Sequence, residues 1–502
     1  MTCWKVTHID EPDLSFGFGQ RAQHPKDGLF LYGPLKSNRN PARMDVGVIG
    51  TESGIALFAS WVRSIRGKIE APEAGRPENK MMWPGFQSVF GIDWPEVPFT
   101  TCQVNGSELD ERIRSSNRSE AIYNAVGVYE DALRRHLVNE EARPHMWFVI
   151  VPDIIFKYGR PKSRVPKQDQ IPSRIVSRRE ANRMLRDGWL FAEDLKDTEI
   201  YLYEENFHNQ LKARILDTQQ VLQVVRETTL VGGDLGETKR RMQDRAAVAW
   251  NLSTTSFYKA GGTPWRIANV REGVCYVGLV FKKIDIPGRK DNACCGAQMF
   301  LASGEGIVFK GAVGPWFSEA DNSFHLKRPK AEELMKLIVT AYEDMHGKPP
   351  SELFIHGKTW FNEEEWDGFS AAVPDTTRLV GIRIRRQNEI KLFRLGKNPV
   401  LRGTAIMLNE RSAYLWTTGF VPRLNTYAGR EVPNPLTIDI VRGDVELETV
   451  LVDLMSLTKL NFNSANFADG LPVTLRFADL VGEILTAAPL EKTPPLPFKA
   501  YI

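Results

Sequence analysis

His208 and Lys212 stand four residues apart in YEENFHNQLKARI (203–215), so on a helix both side chains leave from one face. Gln223 follows at the head of VVRE, an apolar run that reads as a short buried strand. Lys259 closes a helical run and is followed by the turn pair Gly261-Gly262. Two cations, an amide and an imidazole brought to one point would suit a doubly charged anion such as a terminal phosphate. Charge-assisted hydrogen bonds of this kind are the strong ones, and Lys serves phosphate as a point charge. Taken alone, a Lys four residues after a His reads as a solvated helix face. The order of the whole block is what selects the anion.

The elements that must position these residues follow from the apolar pattern. DVGVIGTESGIALFASWVRSI (45–65) reads as strand, turn and amphipathic helix, residues 119–138 as a second helix, and MWFVIV (146–151) as a continuous apolar run of strand length. Strands alternating with helices imply a parallel, Rossmann-like sheet. The stretch 157–180, rich in Pro, Arg and Lys, predicts a long exposed loop inside this first lobe. A second lobe begins near Arg271 with the successive strands VCYVGLVFKK, GAQMFLAS and GIVFKGAV. A helix over 330–346, the strand LFIH, a helix from Asn362, β-rich segments over 378–418 and helices near 446–460 and 474–487 complete it. The tail PPLPFKAYI is too apolar for a free end and is expected to dock. HPKDG (24–28) reads as a turn. SFGFGQ and LVGGDLGE lack the spacing and the strand–helix setting of a nucleotide-binding loop.

Composition narrows the class without naming a ligand. With 502 residues, 42% hydrophobic and 25% charged, the chain is an ordinary globular protein of several domains. A net charge of +3 gives no global signal for nucleic acid, so any electrostatic footprint is local. Arg383, Arg385 and Arg386, and Arg160, Lys162, Arg164 and Lys167, are the candidate clusters, each by itself read as a solvated face. Five cysteines, two of them adjacent, make no disulfide framework, and the eight histidines show no zinc spacing. No signal segment opens the chain and no run approaches membrane-spanning length, so a cytoplasmic location is expected.

The block from Tyr203 to Arg266 resembles the MID domain of Argonaute proteins, in which a His- or Tyr-x-x-x-Lys pair, a later Gln and a Lys before Gly-Gly hold a guide's 5′ phosphate. His208, Lys212, Gln223 and Lys259 match those positions. PHMWFVIVPD, GVCYVGLVFKK, NACCGAQMFL, ELFIHGKTWFNEEEWDGF, LNERSAYLWTTGFVPR and FADGLPVTLRFADLVGEILTA carry the likeness to the end, and DGLFLYGPL and DVGVIG open it. Over nearly the whole length the chain is similar to a short prokaryotic Argonaute, the MID and PIWI halves without N and PAZ domains. The resemblance implies an α/β protein with a Rossmann-like MID lobe at 1–270 and an RNase H-like PIWI lobe at 271–502.

Slicing Argonautes hold two divalent ions on PIWI carboxylates, because two-metal hydrolysis must ligate each ion while water is activated. By the same resemblance the first Asp slot is Val280, the next, in FIHGKTW, is Lys358, and the last falls on Phe477 and Ala478 in RFADL. Apolar residues do not ligate magnesium and Lys358 would repel it. Asp479, the run Glu363-Glu364-Glu365 and His356 are read as structural. The expectation is a binding protein and not an enzyme. The resemblance then implies a 5′-phosphorylated guide RNA, single-stranded DNA targets, and a partner carrying an APAZ domain fused to an NAD(P)-hydrolysing effector. That effector is TIR by the wording of NACCGAQMFL, FYKAGG and TPPLPFKAYI, or else sirtuin-like, and the pair is a heterodimer able to oligomerise on activation in defence against plasmids and phages. A magnesium ion at the guide 5′ phosphate, ligated by the Ile502 carboxylate and Gln223, is the expected cofactor beside the guide; an apolar tail that only fills a groove is the alternative. A guide-directed nuclease and a general RNA-binding scaffold are the rival functions.

Overall fold

The computed structural model describes residues 4–71, 81–173, 175–187, 198–231, 244–269, 271–283, 292–301, 306–318, 322–427, 429, 431–489 and 495–502. Two sheets organise it. The first has four strands in the spatial order Thr100–Gln103, Val46–Gly50, Met146–Val151, Leu222–Arg226, all parallel. Every residue of Val46–Gly50 and of Met146–Val151 is buried, as a parallel sheet covered on both faces requires. Alternate side chains divide between two cores. Ile49, Trp147, Val149 and Val151 pack with the helices Arg118–Asn139 and Phe207–Ile215. Val46, Val48, Phe148 and Ile150 pack with the helices Glu52–Arg66 and Arg245–Lys259. Polar caps start these helices: Thr51 Oγ1 accepts from Gly54 N at 3.1 Å, and Asn206 caps the helix that carries His208 and Lys212.

The second sheet has ten strands, in the order Lys5–His8, Thr404–Met407, Ser412–Leu415, Leu436–Arg442, Arg378–Arg386, Glu352–Gly357, Val274–Lys283, Asn292–Phe300, Gly306–Pro315, Leu496–Pro497. Glu352–Gly357 is parallel to both of its neighbours, and the remaining pairs are antiparallel. The helices Arg328–His346 and Glu363–Ala371 cover one face, and Leu447–Leu457, Val473–Arg476 and Ala478–Leu485 the other. Gly278 makes the last packing possible, since a Cβ there would lie 2.0 Å from the Thr474 carbonyl oxygen. The architecture is thus α/β, a Rossmann-like parallel layer beside an RNase H-like mixed sheet.

Three local expectations are corrected. HPKDG is not a turn: His24 caps a helix over Pro25–Tyr32, its Nδ1 accepting from Lys26 N at 3.1 Å, and Pro25 takes the first helical position that its missing N–H suits. The stretch 157–180 is not one loop, because a helix over Asp153–Tyr158 enters it and another over Arg178–Asp187 leaves it. The expected helix at 474–487 is two, broken at Phe477. Most of LVGGDLGE lies outside the described residues. The first strand, Lys5–His8, joins the sheet of the second lobe, so the chain crosses the 270/271 division at its start. The lobes also share a core, where Tyr258 and Trp265 meet Phe462 at ring centroid distances of 4.6 and 5.0 Å.

Candidate phosphate pocket

The helix Phe207–Ile215 runs beside the edge strand Leu222–Arg226, and the helix Arg245–Lys259 ends beside the head of that strand. Lys259 is the last helical residue, and Gly261 turns the chain away at φ 104°, a conformation open to glycine and strained for other residues. These three elements aim two ammonium groups inward. Lys212 is 2% exposed and Lys259 1%. Lys212 Nζ donates to the main-chain oxygens of Tyr501 at 3.0 Å and Ile502 at 2.5 Å. Lys259 Nζ donates to Leu222 O and to Gln223 Oε1, each at 2.8 Å, and to the Ile502 oxygen.

The tail supplies that oxygen because it docks. Leu496–Pro497 adds a short strand to Gly306–Pro315, Phe498 packs on Phe300 and Phe477, and Tyr501 and Ile502 are buried. Of the five residues singled out for the pocket, the fold brings four together: Lys212, Gln223, Lys259 and Ile502. His208 lies one turn back along the helix, where its Nδ1 is 3.1 Å from Asn209 Oδ1. It feels Lys212 electrostatically, and burial first, then that neighbouring charge, lower its pKa to about 3, so the ring is neutral. A neutral ring offers one N–H and a stacking face. The main-chain acceptors from Leu222 and Tyr501 carry no sequence signal, because any residue type provides a carbonyl.

Burial penalises both ammonium groups. It lowers the pKa of Lys212 to about 7, and it lowers Lys259 well below the usual lysine range, with repulsion from Lys212 as the second cause. Carbonyls, an amide and the terminal Ile502 carboxylate solvate these cations, and among the described residues no acidic side chain hydrogen-bonds to either. Two buried ammonium groups that share that one negative charge leave positive charge for an anion to balance. The oxygens also bear on the expected metal. Magnesium takes oxygen ligands, and Ile502 O and Gln223 Oε1 already share one cation, the Lys259 ammonium. Their type and convergence fit a hard cation, with its charge balanced from outside the chain.

At the second-lobe positions that the resemblance marked for catalysis, Lys358 donates to both carboxylate oxygens of Asp479, at 2.7 and 2.9 Å. The lysine follows the strand Glu352–Gly357, and Asp479 opens the helix Ala478–Leu485. His356 is buried with Nδ1 2.9 Å from Thr474 Oγ1, and burial lowers its pKa to about 3. Glu365 accepts from Leu326 N at 3.0 Å, a role in helix packing. Among the described residues no three His, Cys, Asp or Glu side chains gather as a metal site, and no helix is long and apolar enough to cross a membrane.

No protein-family model and no curated protein matches the sequence. Solved structures do match. Clostridium butyricum Argonaute bound to a guide DNA and a 19-mer target DNA superposes with a TM-score of 0.63 at 15% identity, covering 99% of this chain and 55% of that one. Aa-Ago with externally bound siRNA gives 0.56 at 15% identity over 99% and 56%, and Aquifex aeolicus Argonaute 0.53 at 13% over 99% and 57%. At such identities the likeness is one of fold, and the chain spans about half the length of these proteins. Over almost all of its residues, this chain has the fold of Argonaute proteins.

Proposed function

We propose that the chain holds a 5′-phosphorylated guide in the Lys212–Lys259 pocket and uses it to recognise a complementary strand. The observation that carries this is the pair of buried lysines, neither hydrogen-bonded to an acidic side chain among the described residues, at the meeting of Gln223 and the Ile502 terminus, in a chain whose fold is that of proteins solved with guide, target or siRNA. Pairing would supply sequence selection, and the protein would hold backbone. The sequence resemblance refines the reading to an RNA guide, a single-stranded DNA target and a short, non-cleaving Argonaute. The Lys358–Asp479 ion pair, where slicing needs a ligand set, supports that refinement. On this reading, target binding activates a partner that carries APAZ and an NAD(P)-hydrolysing effector, TIR before sirtuin-like, for defence against plasmids and phages.

Purified chain loaded with 5′-phosphorylated guide RNA should retain labelled complementary single-stranded DNA without cutting it, with magnesium or manganese present, and should leave NAD intact. Retention that ignores the 5′ phosphate would favour a general RNA-binding scaffold. Metal-dependent cleavage of the paired strand would make it a nuclease.

Ile502 and Gln223 are the residues that would hold a magnesium ion at the guide phosphate. The ion would supply positive charge shared between the tail and the guide. Deleting Tyr501 and Ile502 should weaken guide binding about 10- to 100-fold, the scale of one charged contact, and abolish its dependence on magnesium. Filter binding with and without chelator measures both. Unchanged binding would leave the tail a packing element only.

A further inference from the structure

Away from the pocket, the surface around the first-lobe insertion carries cations that the fold leaves without acidic partners. Lys157, Arg160, Lys162, Arg164 and Lys167 are exposed, and Arg226, at the end of the edge strand, is half-buried. Several arginines elsewhere on this lobe surface are neutralised, Arg63 by Glu96, Arg114 by Asp110, and Arg134 by Glu130 and Asp217, though Arg135 and Arg143 donate to main-chain oxygens. Among the described residues no carboxylate pairs with any of these six cations. Of the acids nearest in sequence, Asp153 accepts from Thr228 and Glu227 from Thr51, while Asp169, two residues from Lys167, acts electrostatically on Arg114. At the centre lies Phe156, with the Arg160 guanidinium 4.4 Å and the Arg226 guanidinium 4.0 Å from its ring centroid. Stacking on the ring fixes both planes and leaves their N–H edges free to donate.

Charge, aromatic content and position point to one ligand class. Uncompensated cations interleaved with an aromatic are suited to a phosphodiester backbone. The insertion is tied to the helix that carries Lys212, because Gly159 O accepts from Phe207 N at 2.9 Å. Gln223 and Arg226 are three residues apart on one strand, about 10 Å at the rise of a β-strand, with their side chains on opposite faces of the sheet. We propose that Lys157, Arg160, Lys162, Arg164, Lys167 and Arg226 form a second contact surface for single-stranded nucleic acid, one that binds backbone phosphates independently of the terminal phosphate. This rests on the reading that the chain holds nucleic acid.

The test is the salt dependence of binding for two single-stranded RNAs of one sequence, with 5′ phosphate and with 5′ hydroxyl. The comparison is between the full chain and a variant carrying Arg160→Gln, Lys162→Gln, Arg164→Gln and Lys167→Gln. All four side chains are exposed, so a matched unfolding curve certifies the variant's fold. Four lost phosphate contacts should flatten the slope of log K against log salt by about 3, at ~0.7 per contact on a single strand. Affinity at low salt should fall at least about tenfold for both RNAs, and the preference for the 5′ phosphate should stay as it was. An unchanged slope overturns the surface, and a loss confined to phosphorylated RNA makes these residues part of the pocket. Equal competition by a poly-glutamate of the same charge would assign the patch to an acidic protein. If the unaltered chain fails to bind phosphorylated RNA at all, the functional reading fails with it; if it binds and only the slope stays put, the patch alone fails.

Discussion

Replacing Lys212 and Lys259 together by Ala should weaken binding of a 5′-phosphorylated guide by about 10²- to 10⁴-fold, while binding of the same guide with a 5′ hydroxyl changes little. The magnitude follows from two hydrogen bonds to a charged group, at roughly 1.5–3 kcal/mol each and 1.4 kcal/mol per tenfold. Both ammonium groups are buried and converge on the Ile502 oxygen, so a phosphate there would meet two cations already aimed at it. Removing the phosphate and removing the lysines should not add, since each deletes one side of the same interaction. Fluorescence anisotropy over the four combinations of protein and guide gives the coupling energy directly. Additive losses would place the phosphate elsewhere. The double variant should fold, because it relieves two buried charges that, among the described residues, hydrogen-bond to no acidic side chain.

How far the sequence reached depends on the range of each interaction. The His208–Lys212 pair was legible because helical spacing alone puts them on one face, and MWFVIV and DVGVIG because continuous apolar runs between helices mean a covered parallel sheet. Lys259 meeting Gln223 was legible only through resemblance: they are 36 residues apart, and nothing in their spacing says that a helix end returns to the head of an edge strand. The carbonyls of Leu222 and Tyr501 were not legible at all. Nor was the helix at Pro25, where a local turn signature competes with a helix start built from the same His-Pro pair. The contacts of Arg160 and Arg226 with the Phe156 ring were not legible, because a charge cluster read along the chain omits the member from a neighbouring strand.

The interaction of longest range is also the one whose loss should most affect stability. Glu11 Oε2 accepts from Arg402 Nε at 2.8 Å, and Glu11 Oε1 lies 2.6 Å from Lys459 Nζ, across 391 residues in the first case. Both cations are buried. Arg402 also donates to Thr417 O and, at 2.7 Å, to Thr458 Oγ1, while Lys459 donates to Gln23 O at 2.8 Å and lies 3.6 Å from the Phe467 ring centroid. Burial first, and repulsion from Arg402 after it, lower the pKa of Lys459 to about 8 against the opposing pull of Glu11. Glu11→Ala therefore leaves two buried cations without their carboxylate and should cost about 3–5 kcal/mol, against a total of 5–15 for a folded domain. Arg402 precedes Gly403, whose carbonyl accepts from Ile9 N, so the damage should begin where Lys5–His8 joins the large sheet. Amide exchange at Lys5–Ile9 should accelerate before the parallel sheet is affected. The pH response has a defined sign. For Glu11, burial favours the neutral acid, but Arg402 and Lys459 together outweigh it and hold the carboxyl below its usual range. Its contribution is thus present above the unfolded value near 4.5 and is lost as pH falls through the lower folded value. The variant should lack that part of the acid transition. Replacing all three residues by apolar side chains of similar volume should recover most of the lost stability, because the burial penalty disappears with the charges. If Glu11→Ala unfolded in urea like the unaltered chain, the cluster would contribute nothing net, and the shared core around Phe462 would be what holds the N-terminal segment to the second lobe.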